Sequence, residues 1–188
     1  MRKLAVIFPG IGYTADKPLL YFSRRLAVNM DYEILSIAYC GFPDHVFGDP
    51  EKLAKCYQIA LSQSEAQLSA VDWAVYDDIL FIGKSIGTVI AAEICDKSSI
   101  RDRIRMVLYT PMEDTFRYAL GETLVFTGDN DPWVGRSASK IPALCEKQNI
   151  PYHVIPGANH SLECGIISKD MEMLQSVMLD TERFLGKG

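Results

Sequence analysis

The chain has 188 residues, 48% of them hydrophobic and 23% charged, with a formal net charge of −5. That length suits one domain over 1–188 with a core large enough to need no staples, and the composition is that of an ordinary globular protein, neither disordered nor membrane-embedded. The acidic balance argues against a nucleic-acid surface; Arg101, Arg103 and Arg105 read as a solvated turn and strand entry.

The first apolar run, "LAVIF" (4–8), is followed by a helical segment over 18–29. "EILSIA" (33–38) precedes one over 51–71, and "ILFIG" (79–83) precedes one over 86–97. "IRMVLYT" (104–110) leads to "TLVFT" (123–127), after which come a helix over 137–148, the run "YHVIP" (152–156) and a last helix over 168–185. The runs are continuously apolar rather than alternating, which predicts strands covered on both faces, the habit of a parallel sheet flanked by helices. Strand and helix in alternation predict a three-layer α/β/α sandwich around a mainly parallel six-stranded sheet. Met171, Leu174, Val177, Met178 and Leu185 recur at helical spacing, so the last helix docks on that core.

Met1-Arg2-Lys3 before "LAVIF" starts like a secretory leader, but the apolar run ends at Pro9-Gly10, too short for one. No run approaches the roughly 20 apolar residues that span a bilayer. Cys40, Cys56, Cys95, Cys145 and Cys164 are scattered, without C-x-x-C or paired histidines, which speaks against a disulfide framework and a zinc site. The expectation is a reduced, cytoplasmic protein with no membrane contact and no metal.

In an open α/β sheet, ligands sit beyond the carboxyl ends of the strands, so the loops after each run are the place to look for chemistry. In the first, "IFPGIGYTADKP" (7–18), Gly10, Gly12 and Ala15 match the G-x-G-x-x-[G/A] spacing of a dinucleotide site. Tyr13 to Lys17, however, separate those glycines from a helix start at Pro18, and the second strand ends in Ala38-Tyr39-Cys40-Gly41 with no carboxylate for a ribose. A dinucleotide-binding oxidoreductase is the weaker reading; the same glycines suit a loop that offers a backbone N–H to an oxyanion. After the third run, "GKSIG" (83–87) is a G-x-S-x-G between a strand and a helix. Its glycines make room for a sharp turn that lifts the Ser85 hydroxyl and aims the Ile86 N–H at a substrate oxygen. The loop "GDNDPWV" (128–134) offers Asp129 and Asp131, and "GANHS" (157–161) offers His160.

Ser, Asp and His at three strand ends, in that order, resemble the α/β-hydrolase superfamily. "GKSIG", "GDNDPWV" and "GANHS" carry the resemblance, which runs from the first strand to the last helix, although the two N-terminal antiparallel strands common in that family are missing. It implies Ser85 as nucleophile, His160 as base and Asp131 as acid, with Asp129, too early for the family's pattern, as runner-up. "PGIG" resembles the HG-x-G oxyanion loop with Pro9 in the histidine's place; the donor is the N–H of Ile11, or else of Gly12 or Tyr13, beside that of Ile86. The implied activity is that of a serine hydrolase cleaving a carboxylic ester or thioester of a small acyl substrate through an acyl-enzyme, without a cofactor. A peptidase, an amidase or a C–C hydrolase would use the same three residues, and the rival from another class is a binding protein that keeps the fold without turnover.

The segment "PMEDTFRYALGE" (111–122), where relatives insert a lid, is too short to cover a large cavity. An open, shallow site is expected, with Tyr13, Phe116, Tyr118 and Trp133 as apolar walls, and Gly12, Tyr13, Lys84 and Trp133 as substrate contacts. Lys84 would attract an anionic substrate, or pack its stem on the turn and point to water. His45 and His153 read as structural, and Glu163 as a cap of the last helix.

Overall fold

The computed structural model describes residues 1–134 and 140–186. Six strands, β1 (Lys3–Phe8), β2 (Tyr32–Ser36), β3 (Asp78–Lys84), β4 (Ile104–Tyr109), β5 (Glu122–Gly128) and β6 (Tyr152–Ile155), form one sheet in the order β2-β1-β3-β4-β5-β6. Every pairing is parallel. The helices are α1 (Pro18–Asn29), α2 (Pro50–Leu68), α3 (Ile86–Lys97), α4 (Lys140–Lys147) and α5 (Ile167–Leu185).

Burial on both faces explains the unbroken apolar runs. Along β1, Leu4, Val6 and Phe8 face one side, and Ala5 and Ile7 the other; β3 divides in the same way, Ile79 and Phe81 against Leu80 and Ile82. The first set packs with Ala60 and Leu68 of α2, Ile90, Ala91 and Cys95 of α3, and Ile141 and Cys145 of α4. The second packs with Leu19, Leu20 and Ala27 of α1 and Val177, Phe184 and Leu185 of α5. These are the three layers that the alternation of strand and helix implies.

α1 and α3 have the bounds that the sequence predicts, and both start where the chemistry favours a start: Pro18 at the first position of α1, and the turn at Ser85 before α3. β2 is shorter than 33–38 because the Gln67 side chain takes up both the N–H and the C=O of Ala38, at 3.0 and 2.9 Å. α2 ends at Leu68, before a turn closed by the Val71 N–H on the Leu68 carbonyl; the Asp72 carboxylate then caps a short 3-10 turn over Trp73–Val75. For the helix expected over 137–148, residues 137–139 lie outside the described ones. Among the described residues no helix is long and apolar enough to cross a membrane.

Candidate active site

With the sheet all parallel, the carboxyl ends of β3, β5 and β6 share one rim, and the loops that leave them meet there. Ser85 follows β3 directly, with φ +55° and ψ −124°, a left-handed backbone that a non-glycine residue holds only under constraint. The constraint is visible on both sides of it. The Ser85 N–H donates to the Tyr109 carbonyl at 3.1 Å, and the Ser85 carbonyl accepts from the Thr88 N–H and hydroxyl at 2.9 and 2.6 Å. Gly87 lets α3 pass against β1: a Cβ there would lie 2.2 Å from the Phe8 carbonyl oxygen and 2.4 Å from that of Pro9.

His160 reaches Ser85 from the loop after β6, its Nε2 2.8 Å from Oγ. Its Nδ1 lies 2.7 Å from Asp131 Oδ2, while Asp131 Oδ1 accepts the Trp133 N–H at 2.9 Å. Asp131 is only 4% exposed, so its charge is spent on these two partners. Burial lowers the His160 pKa below its ordinary 6.5 and the nearby Lys84 adds to that, against the opposing pull of Asp131. The imidazole is therefore held neutral near pH 7, the state in which it accepts a proton. Asp129 is committed elsewhere: its Oδ1 accepts the Gly157 N–H at 2.6 Å, bracing the turn that carries His160. The Trp133 indole stacks on the His160 ring, centroids 5.4 Å apart, and meets Phe47 edge-on at 5.0 Å.

The first loop presses against the same turn. Gly10 approaches so closely that a Cβ on it would lie 3.1 Å from Ser85 Cβ. Gly10 and Tyr13 exchange backbone hydrogen bonds at 3.0 and 3.3 Å, and Gly12 takes the positive φ of +67° that this tight turn needs. The Tyr13 N–H is thus spent and falls out as an oxyanion donor. Among the described residues the Ile11 and Gly12 N–H groups make no hydrogen bond, and neither does that of Ile86, which opens α3 where helical N–H groups have no partner in the helix. α1 begins only at Pro18, so no helix N-terminus stands inside the glycine pattern as a dinucleotide would require. Among the described residues no group of three or more His, Cys, Asp or Glu side chains is placed to share a metal ion.

No family model matches the chain and no curated protein does. Solved structures match over nearly its whole length. It is similar to Est1E from Butyrivibrio proteoclasticus at 15% identity, covering 99% of this chain and 88% of that one with a TM-score of 0.68; another structure of Est1E holds ferulic acid. An α/β serine hydrolase without lid from Xanthomonas campestris is 15% identical over 97% of this chain and 82% of its own, at a TM-score of 0.60. An α/β serine hydrolase homologue from Coxiella burnetii is 17% identical over 95% and 84%, at 0.59. The chain has an α/β-hydrolase-like fold.

In this α/β-hydrolase-like fold the segment between β4 and β5 folds down onto α3 instead of rising over the rim. It makes a 3-10 turn over Glu113–Arg117, buries Phe116 and joins the Thr115 and Thr88 hydroxyls at 2.7 Å. Two of the expected walls are therefore core residues: Phe116 and Tyr13 are each 8% exposed, and the Tyr13 hydroxyl accepts the Leu19 N–H at 3.1 Å. Tyr13 is not available as a substrate contact. Lys84 neither reaches a substrate nor points to water; it is 1% exposed, because the alternation of β3 turns its side chain into the layer beneath the site. His45 is exposed rather than satisfied in a core. His153 stacks on Phe126, 5.2 Å between centroids. Glu163 does not cap α5; Asp170 in the first turn reaches back to the Cys164 N–H at 2.6 Å instead.

Sequence reasoning missed Thr110. Its backbone has φ +43°, its N–H donates to the Phe126 carbonyl at 2.7 Å, and its hydroxyl donates to the His160 carbonyl at 3.0 Å. A threonine at the end of a strand looks like any other strand residue, and Pro111 after it argues for extended backbone rather than the positive φ it adopts, so no signal in the sequence marked it.

Proposed function

We propose that the protein is a serine hydrolase that cleaves a carboxylic ester or thioester through an acyl-enzyme, with Ser85, His160 and Asp131 as the triad. One observation carries this reading: the unbroken chain from Ser85 Oγ to His160 Nε2 at 2.8 Å and from Nδ1 to Asp131 at 2.7 Å, anchored on a strained turn that costs stability to keep.

The chemistry follows from the groups. A serine hydroxyl is a weak nucleophile at its own pKa, so His160 takes its proton as Oγ attacks the acyl carbon and returns it to the leaving alcohol or thiol. Asp131 keeps the proton of the resting imidazole on Nδ1 and stabilises the imidazolium that forms. The N–H groups of Ile86 and Ile11, or Gly12, stabilise the tetrahedral oxyanion, each donor worth about 10²–10³ in rate. Water then repeats the sequence on the acyl-enzyme.

For the acyl group, a cavity of about 400 Å³ opens beside Ile86. Leu53, Val89 and Met112 supply apolar wall, while Tyr57, Tyr118 and the Arg117–Asp114 ion pair line the rest of it. The apolar part of that lining suits an acyl chain or ring. Because Est1E has been seen with ferulic acid, a feruloyl ester belongs in the substrate panel beside p-nitrophenyl esters and acyl thioesters of graded length.

A fluorophosphonate probe tests the reading directly. Folded wild-type protein is expected to label with one equivalent and Ser85→Ala not at all. Absence of labelling in folded wild type, or equal labelling of Ser85→Ala, refutes it.

A further inference from the structure

The cavity beside Ile86 carries a cluster of polar side chains that no step above uses. Ile86 and Val89 line it from α3, and Glu93 follows one turn further along the same face of the helix. Glu93 is only 4% exposed, and three groups meet its carboxylate: the Lys97 ammonium, the Tyr57 hydroxyl from α2 and, at 2.9 Å, the Tyr118 hydroxyl from the segment between β4 and β5. Both tyrosines are half-buried and line the cavity. Burial alone would push the Glu93 carboxyl up, but Lys97 and the two phenols outweigh it and hold it below its ordinary range.

An ionised carboxylate can only accept, so each phenol gives Glu93 the single proton it has. What Tyr57 and Tyr118 keep are oxygen lone pairs, and the two oxygens lie 3.4 Å apart, close enough to share one donor. This part of the wall therefore asks for a hydrogen-bond donor. The wall next to the reacting atoms is apolar: Ile86 belongs to one cluster with Ile11 and Trp133 on the catalytic side and with Leu53 and Met112 in the cavity. From Ile86, whose N–H is a proposed oxyanion donor, to Glu93 the helix advances about 10 Å at 1.5 Å per residue.

We propose that this cavity selects an acyl chain bearing a neutral hydroxyl about 10 Å from its carbonyl, with Tyr57 and Tyr118 accepting the hydrogen bond from that hydroxyl and Glu93 as the positioning residue that makes acceptors of both phenols. An ammonium is the poorer fit, because Lys97 already neutralises Glu93 and Arg117 lines the same cavity. That the other end of the ligand is an acyl carbonyl rests on the hydrolase reading. An extended chain covers roughly 1.2 Å per bond, so an 8-hydroxyoctanoyl group has the required reach.

The p-nitrophenyl esters of 8-hydroxyoctanoic, octanoic and 8-methoxyoctanoic acid test this, the methoxy ester keeping the oxygen and lacking the proton. Wild type is expected to favour the hydroxy ester over each of the others by about tenfold in kcat/KM, the worth of one hydrogen bond made rather than lost. A cavity that reads only apolar area would rank octanoate first; that order, or equal use of the hydroxy and methoxy esters, overturns the proposal. Tyr57→Phe and Tyr118→Phe each remove one acceptor and keep the ring, so the hydroxy-to-octanoyl ratio should fall in each and vanish as a preference in the double variant. An unchanged ratio in the folded double variant is a refutation. Glu93→Gln offers an N–H as well as an oxygen, which frees a phenol to donate; the methoxy ester should then gain on the hydroxy ester, and an unchanged ratio removes Glu93 from the positioning role. Should the variants not fold, the wild-type ranking decides alone. Calorimetric titration of Ser85→Ala with the methyl esters of the same acids needs no turnover. Tighter binding of methyl 8-hydroxyoctanoate than of methyl octanoate, in a protein whose wild type takes no fluorophosphonate, refutes the hydrolase reading and leaves the preference of the cavity intact. Equal affinities, or no binding of either ester, overturn the preference and leave a labelled Ser85 untouched.

Discussion

Replacing Asp131 by asparagine leaves the shape of the site intact and removes one acceptor, which makes it the sharpest probe of how the imidazole is held. The carboxylate serves two N–H groups at once, that of Trp133 at 2.9 Å and Nδ1 of His160 at 2.7 Å, in a side chain with no exposed surface. An amide has one oxygen. If it stays on the Trp133 N–H, the NH₂ faces Nδ1, which must then accept; the ring proton moves to Nε2 and points at Ser85, where a base is needed. If the amide flips, its NH₂ meets the Trp133 N–H donor to donor, an unsatisfied contact in a buried place. The wrong tautomer is worth about 10⁴ in kcat for a Ser-His-Asp triad, the one proposed for this chain, or between 5 and 6 kcal/mol by about 1.4 kcal/mol per decade. Asp129→Asn, by contrast, keeps an oxygen for the Gly157 N–H that the carboxylate accepts at 2.6 Å, so kcat is expected to stay near wild type. Steady-state turnover of a p-nitrophenyl ester, with Tm as the check on folding, separates the two. Asp131→Asn within an order of magnitude of wild type, or Asp129→Asn as the worse variant, would refute the reasoning.

Gly87→Ala places a Cβ 2.2 Å from the Phe8 carbonyl oxygen, where Cβ contacts stop at about 3.0 Å. α3 must then retreat by about 0.8 Å and take the Ile86 N–H with it, which is expected to lower Tm by overpacking and turnover by about 10²; wild-type values for both would count against the close approach. The pH profile of kcat/KM reports the free-enzyme His160, which burial holds below its ordinary 6.5. With the neutral ring as the proposed base, activity should persist to below pH 6.5 before it falls, and a midpoint above 6.5 contradicts the assigned cause. At the other end of the sheet, Arg105 and Asp78 pair at 2.9 Å with side chains 11% and 14% exposed. Arg105→Ala leaves the Asp78 carboxylate with the Tyr32 hydroxyl as its partner and takes a donor from the Phe184 and Leu185 carbonyls, and should cost about 3 kcal/mol in a denaturant titration with ester turnover unchanged at saturating substrate; a stability change near zero would mean that Tyr32 and water compensate.

The elements and their order could be read because the central strands β1, β3 and β4 are apolar on both faces and the helices between the strands carry apolar residues at helical spacing, so period and composition agree. Where bounds slipped, a side chain had intervened in the backbone's own pairing: Gln67 ends β2 early, and Asp72 turns the chain after α2. At the rim, the three strand-end loops could be picked out by residue type, since Ser85, Asp131 and His160 are the kinds of side chain the chemistry asks for. Burial could not. Tyr13 and Phe116 look like exposed aromatics on loops, and Lys84 like a solvated charge, because a loop residue's fate is decided by what folds over it from far along the chain. Thr110 is the extreme case: its importance lies in a carbonyl fifty residues away that accepts its hydroxyl.

That carbonyl also shows why the three loops hold their distances. β3 and β5 are not neighbours; β4 runs between them, and two strand spacings amount to roughly 10 Å, a gap that Ser85 and Asp131 close only through an imidazole lying across the end of β4. The β4 terminus supplies a tie in each direction. Tyr109 fixes Ser85 through its carbonyl, and Thr110 fixes β5 through Phe126 and the His160 loop through its hydroxyl. The β6 loop is tied a second time, where Gly128 passes so near Ala158 that a Cβ would lie 2.1 Å from the carbonyl oxygen, which accepts the Asn130 N–H at 3.0 Å. The backbone at Ser85 and Thr110 is strained because each residue must serve a neighbouring strand and the rim at once, so relaxing either one frees a contact on which the placement of His160 depends.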